Sequence, residues 1–232
     1  MKKKIAILSG AGISAESGLK TFRDAGGLWE GYDVMEVASI EGWQKNPELV
    51  LDFYNQRRKQ LKEVQPNDAH KYCAYLEQYF DVTIVTQNVD NLHERAGSTN
   101  VIHLHGELNK VRSLKDENYV IQWEEDLVFG DLCPKGGQLR PHIVWFGEPV
   151  PKLEDAAIAV HDADFIIVVG SSMVVYPAAG LVYYARSHAE VFYIDPNPTL
   201  NYELESNKNL RVFAKTATEG MKIVNDYLIT KQ

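Results

Sequence analysis

The sequence has little cysteine, no long apolar run and a shortage of basic residues. Cys73 and Cys133 are the only cysteines in its 232 residues, which excludes a disulfide framework and favours a reducing compartment. No apolar stretch approaches the roughly 20 residues that cross a bilayer, and the run after Lys4 is too short for a signal peptide. We therefore expect a cytoplasmic protein that does not bind a membrane.

The charge of the chain argues against a nucleic-acid partner. Lysine and arginine number 24 against 32 aspartate and glutamate residues, a formal net charge of −8. Binding to a phosphate backbone needs clustered basic residues. The one basic run, Lys2-Lys3-Lys4, is more typical of a solvated lead-in to a strand than of a binding tail. We expect no nucleic acid among the partners.

Short apolar runs rich in β-branched residues recur along the chain and alternate with helix-like segments. This alternation predicts an α/β fold, a parallel sheet with helices on both faces. The irregular, acidic segment from about Asn109 to Arg140 breaks the alternation and predicts an insertion that forms part of a small domain. The predicted strands are Ile5–Leu8, Val82–Thr86, Phe165–Val169 and Val191–Ile194, and the predicted helices include Pro47–Leu61 and Asn67–Tyr79.

A glycine-paired turn follows the first predicted strand. The spacing Gly10-x-Gly12-x-x-Ala15 satisfies the relaxed dinucleotide-binding fingerprint, in which the first glycine allows a tight turn and the second allows backbone to approach phosphate. Backbone N–H groups and the positive end of a helix would then face a pyrophosphate. Alone, the motif is equally compatible with an ordinary strand-to-helix turn.

Two further strand ends carry polar or glycine-rich clusters, Thr86–Asp90 and Gly170–Ser172. Ligands of open parallel sheets bind outside the carboxyl ends of the strands. Clusters at three strand ends therefore predict one ligand site at that edge of the sheet.

Beyond these features, the chain closely resembles the sirtuins, the NAD-dependent protein lysine deacylases. The resemblance runs in family order from residue 5 to about residue 217 and covers nearly the whole chain. The segments that carry it are Gly10–Gly18, Thr21–Arg23, Thr86–His93, His103–Leu108, Arg140–Glu148 and Gly170–Ser172.

The resemblance implies a large Rossmann-like domain and a small domain built from two insertions, with NAD and an acylated lysine meeting in the cleft between them. The large domain would comprise residues of about 1–28, 70–108 and 143–232, and the small one residues of about 29–69 and 109–142. We expect a monomer whose partners are acyl-lysine proteins or peptides.

The family pattern also assigns NAD contacts. Asp195 stands where the family usually has asparagine, and its carboxylate can accept hydrogen bonds from an adenosine ribose. The expected cofactor-binding residues are Gly10, Ala11, Gly12, Ile13, Ser14, Glu16, Thr21, Phe22, Arg23, Trp29, Gln87, Asn88, Asp90, His105, Gly170, Ser171, Ser172, Asp195, Asn197 and Ala217.

His105 matches the general base of the family, which needs a group that titrates near neutrality. In the implied mechanism the acyl oxygen attacks the nicotinamide ribose, nicotinamide leaves, and His105 takes a proton from a ribose hydroxyl. The products are free lysine and O-acyl-ADP-ribose. His103 competes for the role, because two residues apart on an extended segment the rings would point the same way. The resemblance alone favours His105, beside the glycine.

Two segments are expected to bind the acylated substrate. Val144, Trp145, Phe146, Gly147 and Glu148 match the segment that pairs with the substrate backbone and walls the lysine tunnel, although the aromatic pair could equally be core.

Tyr54 and Arg57 lie three apart on a predicted helix and so share one face. In sirtuins that prefer acidic acyl groups, such a pair holds the distal carboxylate of succinyl-, malonyl- or glutaryl-lysine, and Ala25 is small, as a roomy acyl pocket requires. On its own the pair would be surface decoration, and Arg58 competes with Arg57 while being more typical of a solvated helix residue.

The zinc motif of most sirtuins, two Cys-x-x-Cys pairs, is missing. Ser113 stands where the first cysteine is expected and only Cys133 remains, and one thiolate cannot complete a tetrahedral site. We expect no metal. The expected hydrophobic replacement consists of Leu114, Tyr119, Ile121, Trp123, Leu127, Phe129 and Leu132.

The main alternative function is an ADP-ribosyltransferase or NAD hydrolase that uses the same cleft. A hydride-transferring dehydrogenase and a catalytically silent NAD-binding module are further alternatives. His105 and the segment from Val144 to Glu148 favour deacylation.

Overall fold

The computed structural model describes residues 2–20, 28–29 and 31–232. The strands are β1 (Lys4–Ser9), β2 (Leu28–Trp29), β3 (Tyr32–Asp33), β4 (Asp81–Thr86), β5 (Val101–His103), β6 (Gly106–Ser113), β7 (Val120–Gln122), β8 (Leu139–Ile143), β9 (Phe165–Val169), β10 (Glu190–Ile194) and β11 (Leu210–Phe213). The α-helices are α1 (Gly12–Ala15), α2 (Val34–Val37), α3 (Ile40–Lys45), α4 (Pro47–Glu63), α5 (Asp68–Leu76), α6 (Leu92–Arg95), α7 (Leu153–Asp162), α8 (Tyr202–Glu205) and α9 (Ala217–Ile229), with a 3-10 helix at Ala178–Tyr184. Among these residues, no helix has the length and apolar character needed to cross a membrane.

A six-stranded parallel sheet, in the order β11-β10-β9-β1-β4-β5, forms the centre of the molecule. Alternate residues of β1 face opposite sides, as a strand requires. Ile5 and Ile7 join one buried cluster, which α5 and α9 cover. Ala6 and Leu8 join a second, which α7 and the 3-10 helix cover. The predicted α/β fold, with helices on both faces of a Rossmann-like parallel sheet, is confirmed.

A third buried cluster lies beside the sheet, where α2, α3 and α4 pack against the antiparallel strands β7-β6-β8. Helix α4 starts where the sequence predicts, because the Asn46 side chain accepts from the Leu49 N–H and Pro47 occupies the first turn. Both predicted insertions contribute to this cluster. The two-domain boundaries given above stay a prediction.

The segment after β6 differs from the expected hydrophobic replacement. Leu114, Phe129 and Leu132 are more than half exposed, whereas Leu127 is fully buried. Tyr119, Ile121 and Trp123 pack at the edge of the third cluster. The prediction was wrong for the three exposed residues, since β7 is a short edge strand that leaves little surface to cover them.

Polar contacts tie this segment together. The Ser113 hydroxyl donates to Cys133 Sγ at 3.1 Å and accepts from the N–H groups of Lys115 and Asp116 at 3.0 and 3.1 Å. The Lys135 ammonium lies 2.7 Å from the Asp116 carboxylate. Hydrogen bonds and one ion pair therefore connect the two arms of the segment.

From β1 the chain continues to β4 and β5 on one side of the sheet, and it later returns to form β9, β10 and β11 on the other side. The carboxyl end of β1 is therefore a topological switch point. Backbone hydrogen bonds connect the loops there. The Gly10 N–H donates to the Val169 carbonyl at 3.1 Å, and the Gln87 N–H donates to the Ser9 carbonyl at 2.9 Å. Three loops thus converge at one edge of the sheet.

Replacement of Gly170 by alanine is expected to destabilise the fold strongly. Gly170 has φ +61, and a Cβ there would lie 2.2 Å from the backbone N of Ile13. We expect a loss of about 2 to 4 kcal/mol in the free energy of unfolding, from the left-handed backbone and the overlap together. Chemical denaturation measures it. Gly31→Ala is the matched control, because φ is +88 but no atom of the described residues would lie within 4 Å of its Cβ, so only about 1 kcal/mol should be lost. Equal losses in both variants would contradict the packing argument.

Candidate active site

A cavity of about 550 Å³ opens at the carboxyl ends of the central strands, between the sheet and the third cluster. Its volume is in the range of small-molecule and cofactor sites. Most of the predicted site residues that the structure describes line it: Gly10, Ala11, Gly12, Ser14, Glu16, Tyr54, Arg57, Gln87, Asn88, Asp90, His105, Val144, Trp145, Phe146, Gly147, Glu148, Gly170, Ser171, Ser172, Asp195, Asn197 and Ala217.

A few of the predicted site residues are not among those that line the cavity. Thr21, Phe22, Arg23 and Ala25 lie outside the described residues, and Trp29 is described only as part of β2. Ile13 is fully buried in the first cluster and does not line the cavity. Its side chain anchors the glycine turn in the core, so the NAD contact at Ile13, which stays a prediction, would be made by its backbone.

The structure shows the glycine turn packed against a second loop, and the helix that follows the turn is short. Helix α1 has only four residues, so its dipole is small. The Gly12 N–H donates to the Gly170 carbonyl at 2.8 Å, and the Ser14 N–H donates to the Ala11 carbonyl at 3.1 Å. A Cβ on Gly12 would lie 2.7 Å from the Gly170 Cα. The glycines allow two loops to pack backbone against backbone, and they form the floor of the cavity.

Polar side chains at the end of β4 bridge the neighbouring strand ends. The Gln87 side-chain amide donates to the Ser171 hydroxyl at 3.0 Å. The Asn88 amide donates to the Gly10 carbonyl and to the Ser14 hydroxyl, both at 3.2 Å. These amides are fixed by the strand ends on either side, so they present a preorganised polar wall.

Asp90 is a buried carboxylate on the same wall. It accepts from the Ser14 hydroxyl at 3.0 Å and from the Leu92 N–H at 3.1 Å. Burial raises the pKa of Asp90, and the two hydrogen bonds oppose the rise. The carboxylate is held in one orientation toward the cavity.

Two buried histidines support this wall, and the sequence reasoning missed both. His93 Nε2 hydrogen-bonds the Ser9 hydroxyl at 2.9 Å, and His70 Nε2 lies 3.4 Å from the Ser14 hydroxyl. Burial lowers the pKa of His70 to about 4, so this ring is neutral at physiological pH. His93 ends the segment Thr86–His93 that carries the resemblance, but no spacing rule indicated that a serine of β1 would be its partner.

His105, and not His103, faces the cavity. His105 Nδ1 donates to the Gln87 carbonyl at 3.0 Å, which leaves Nε2 as the proton acceptor of the neutral ring. Burial lowers the pKa of His105 below its usual value, although the Gln87 bond opposes this. A neutral imidazole on the cavity wall can act as a general base at neutral pH.

His103 hydrogen-bonds to Glu94 and to the Asn88 backbone. Its Nε2 lies 2.6 Å from the Glu94 carboxylate and its Nδ1 donates to the Asn88 carbonyl at 3.3 Å. Burial acts to lower the pKa of His103, but the hydrogen bond and charge of Glu94 outweigh burial and raise it. His103 is not among the residues that line the cavity. Of the two histidines, position therefore favours His105 as the general base.

The far end of the cavity is formed by the ends of β10 and β11 and the start of α9. Asp195 is buried and its carboxylate accepts from the Asn197 N–H at 2.9 Å. The Glu16 carboxylate accepts from the Thr218 N–H at 2.9 Å, which joins the glycine turn to α9. Asp195 thus supplies a carboxylate suited to a ribose hydroxyl, whereas Glu16 is held to α9.

Tyr54 and Arg57 line the opposite end of the cavity from α4. Tyr54 is fully buried and its hydroxyl accepts from the Trp145 indole N–H at 3.0 Å. The Arg57 guanidinium lies over the Phe53 ring at 4.9 Å. Burial raises the pKa of Tyr54, so its hydroxyl remains a donor. The two side chains form a polar end to an otherwise apolar pocket.

Arg58 does not compete with Arg57. It is 3% exposed and donates to the backbone carbonyls of Leu108 and Glu125 at 3.3 and 3.2 Å. Burial lowers the pKa of Arg58 to about 10. The expectation of a solvated residue was wrong, because α4 turns this side chain into the third cluster, where it ties α4 to the chain after β6.

Glu148 is held by two arginines. Its carboxylate accepts from Arg140 at 2.8 Å and from Arg112 at 3.0 Å, and also from the Trp145 N–H at 2.8 Å. The Phe146 N–H donates to the Ala38 carbonyl at 2.9 Å. These bonds brace the segment, and Glu148 also borders the cavity, so its role as a substrate contact stays a prediction.

The sequence reasoning also missed apolar wall residues. Val175, Tyr176 and Pro177 line the cavity just after the predicted Ser171 and Ser172, and Val89 and Leu108 fill the space near His105. Adjacency to the glycine-rich strand ends was the one signal that could have identified them.

Comparison with known proteins agrees with this geometry. The model of the Sir2 family matches residues 10–177. A protein of Helicobacter pylori strain J99 named NAD-dependent protein deacylase is 62% identical over 194 residues, which cover 84% of this chain and 83% of that protein. A protein of the same name from Bacteroides thetaiotaomicron is 50% identical over 233 residues, 98% of each chain.

Solved structures of Sir2 homologues are also similar to this chain. A Sir2 homologue in complex with NAD superposes with a TM-score of 0.86 at 39% identity and covers 99% of this chain and 91% of its own. A mutant Sir2 homologue in complex with 2′-O-acetyl ADP ribose also has a TM-score of 0.86 at 39% identity, with 99% and 93% covered. The extent of the family match and the identity to relatives over nearly the whole chain show that this protein belongs to the Sir2 family.

Proposed function

We propose that this protein removes acyl groups from lysine side chains of proteins in an NAD-dependent reaction, giving nicotinamide, O-acyl-ADP-ribose and free lysine. The observation that carries the proposal is His105, a neutral and partly buried ring that lines the same cavity as the glycine turn, Asn88 and Asp90 and whose Nδ1 is bonded to the Gln87 carbonyl. Similar proteins carry the name NAD-dependent protein deacylase, and similar structures hold NAD or 2′-O-acetyl ADP ribose.

The residues fit NAD along the length of the cavity. Close backbone packing at Gly10 and Gly12 leaves a floor without side chains, suited to the diphosphate. Asp195 can accept from a ribose hydroxyl at one end, and Asn88 and Asp90 can hold the nicotinamide at the other. NAD, when bound, supplies the ribose carbon that receives the acyl oxygen as nicotinamide leaves.

His105 then moves the proton. Its Nε2 takes a proton from a ribose hydroxyl, and the Nδ1 bond to the Gln87 carbonyl keeps the ring in the required tautomer and orientation. Gln87 is itself bonded to Ser171, so the strand ends hold the base in place.

We further propose a preference for acidic acyl groups, succinyl, malonyl or glutaryl, over acetyl. Tyr54 and Arg57 end the pocket with a hydroxyl and a guanidinium, which together can bind one carboxylate. Tyr54 is fully buried and Arg57 half-buried, so this attraction is screened less than one on the open surface. The acetyl group lacks the carboxylate and gains nothing from the pair.

We propose no zinc site. Of the motif positions, Ser113 is an alcohol, the Asp116 carboxylate is paired with Lys135, and Cys133 is the one thiol. Among the described residues, one other group has a ligand-like arrangement, Glu94, His103 and Glu107. Its carboxylates are paired with His103 and Lys110, which accounts for the cluster without a metal.

The remaining expectations, a cytoplasmic monomer without nucleic-acid partners, stay part of this proposal. An ADP-ribosyltransferase or NAD hydrolase is the alternative, in which another nucleophile would take the ribose. Nicotinamide release that does not depend on an acyl peptide distinguishes it.

His105→Ala is expected to lower kcat/KM for an acyl peptide by about 100-fold or more, the usual contribution of a general base. NAD-dependent turnover is followed by mass spectrometry of the peptide, and folding by thermal denaturation. His188→Ala is the matched control, because His188 is exposed and is not among the residues that line the cavity. An active, folded His105→Ala protein would remove the assignment.

Tyr54→Phe and Arg57→Met are each expected to lower the ratio of succinyl to acetyl kcat/KM by about tenfold or more, because a charged hydrogen bond to the acyl carboxylate is lost. Paired succinyl and acetyl peptides of one sequence provide the measurement. Lys59→Met, which removes an exposed cation from the same helix, is the control. An unchanged ratio in both pocket variants would refute the acidic preference.

Purified protein is expected to contain no stoichiometric zinc, and a chelator should leave its melting temperature unchanged, since hydrogen bonds and the Lys135–Asp116 pair connect the segment without a metal. Elemental analysis and thermal denaturation test this. One zinc per chain after dialysis would overturn it.

A further inference from the structure

We infer that Trp145 is a positioning residue for acyl selectivity: its indole N–H fixes the Tyr54 hydroxyl in the orientation that binds the distal carboxylate of the acyl group. The inference rests on the proposed function and adds to it a residue, remote in sequence, that determines specificity.

The hydrogen bond between the two residues has one possible direction. Indole nitrogen is a donor only, so at 3.0 Å from Trp145 Nε1 the Tyr54 oxygen must accept. The hydroxyl proton of Tyr54 consequently points away from the indole. Both side chains are almost fully buried, at 2% and 0% exposure, so water does not substitute for the indole. The bond turns a rotating hydroxyl into a directed donor.

Trp145 is itself held from several sides. The Arg140 guanidinium lies 3.5 Å from the centre of its ring, and Trp43 packs against the ring at 5.5 Å. Its backbone N–H donates to Glu148 at 2.8 Å.

The charges that brace Trp145 are fixed in turn. Arg140 donates to Glu148 and to the Ile143 carbonyl, each at 2.8 Å, and Arg112 donates to the same two groups. Burial would raise the pKa of Glu148, but the bond from Arg140 outweighs it and keeps the pKa low, so the carboxylate stays charged. The orientation of the indole is therefore set by a network that reaches from β6 and β8 to α4.

The consequence differs between substrates. A succinyl group offers a carboxylate to the Tyr54 proton, and a misdirected hydroxyl weakens that contact. An acetyl group makes no such contact, so loss of the indole N–H affects it only through packing. The selective effect is expected in KM for the acidic substrate more than in kcat, because the interaction is made at the distal end of the acyl group, away from the reacting carbonyl.

The test compares Trp145→Phe with Trp43→Phe. Both variants lose an indole from the same aromatic cluster, but the hydrogen bond to Tyr54 is made by Trp145. With paired succinyl and acetyl peptides, Trp145→Phe should lower the succinyl-to-acetyl ratio of kcat/KM about tenfold, the effect of one hydrogen bond, mainly through the succinyl KM. Trp43→Phe should change the ratio less than twofold. Thermal denaturation confirms that both variants fold.

A double variant separates positioning from packing. If Trp145 acts through the Tyr54 hydroxyl, Trp145→Phe in a Tyr54→Phe background should leave the ratio of the single Tyr54→Phe variant unchanged. Equal ratios for Trp145→Phe and Trp43→Phe, or a further tenfold fall in the double variant, would overturn the inference while the acidic preference stands. A wild-type protein that does not favour succinyl would instead overturn the proposed acyl preference.

Discussion

The close packing of two backbones, at Gly12 after β1 and Gly170 after β9, is the constraint on which the rest of the site depends. The Gly12 N–H donates to the Gly170 carbonyl at 2.8 Å, and neither position has room for a Cβ. The contact brings the loop after β9 over the first turn. Gln87, the residue after β4, then reaches Ser171, and through its carbonyl it orients His105. A tight contact between glycines thus fixes the placement of His105.

The other side of the cavity depends on charge. Glu148 between Arg112 and Arg140 holds the chain after β8, and the indole of Trp145 extends from that chain to Tyr54. Two differently built walls therefore face each other. One consists of backbone and amide groups, for which we propose a dinucleotide. The other is aromatic with a phenol and a guanidinium at its end, for which we propose an acidic acyl chain.

The sequence predicted the sheet well, because buried parallel strands are short runs of β-branched residues and Phe165–Val169 matches β9 residue for residue. Strand-end clusters also predicted the cavity. Local patterns could not decide between His103 and His105, since the choice depends on the distant Glu94 carboxylate. They misjudged Arg58, because its partners, the Leu108 and Glu125 carbonyls, lie far along the chain. They could not reveal the bond from Trp145 to Tyr54, which spans 91 positions.

The most direct test of the central claim is the stoichiometry of the wild-type reaction. Purified protein is incubated with NAD and a succinyl-lysine peptide, and nicotinamide and free peptide are quantified together. If the protein is an NAD-dependent deacylase, we expect one nicotinamide for each lysine released, and no nicotinamide above background without the acyl peptide. Nicotinamide release at the same rate without the peptide, with the peptide unchanged, would contradict it and identify an NAD hydrolase.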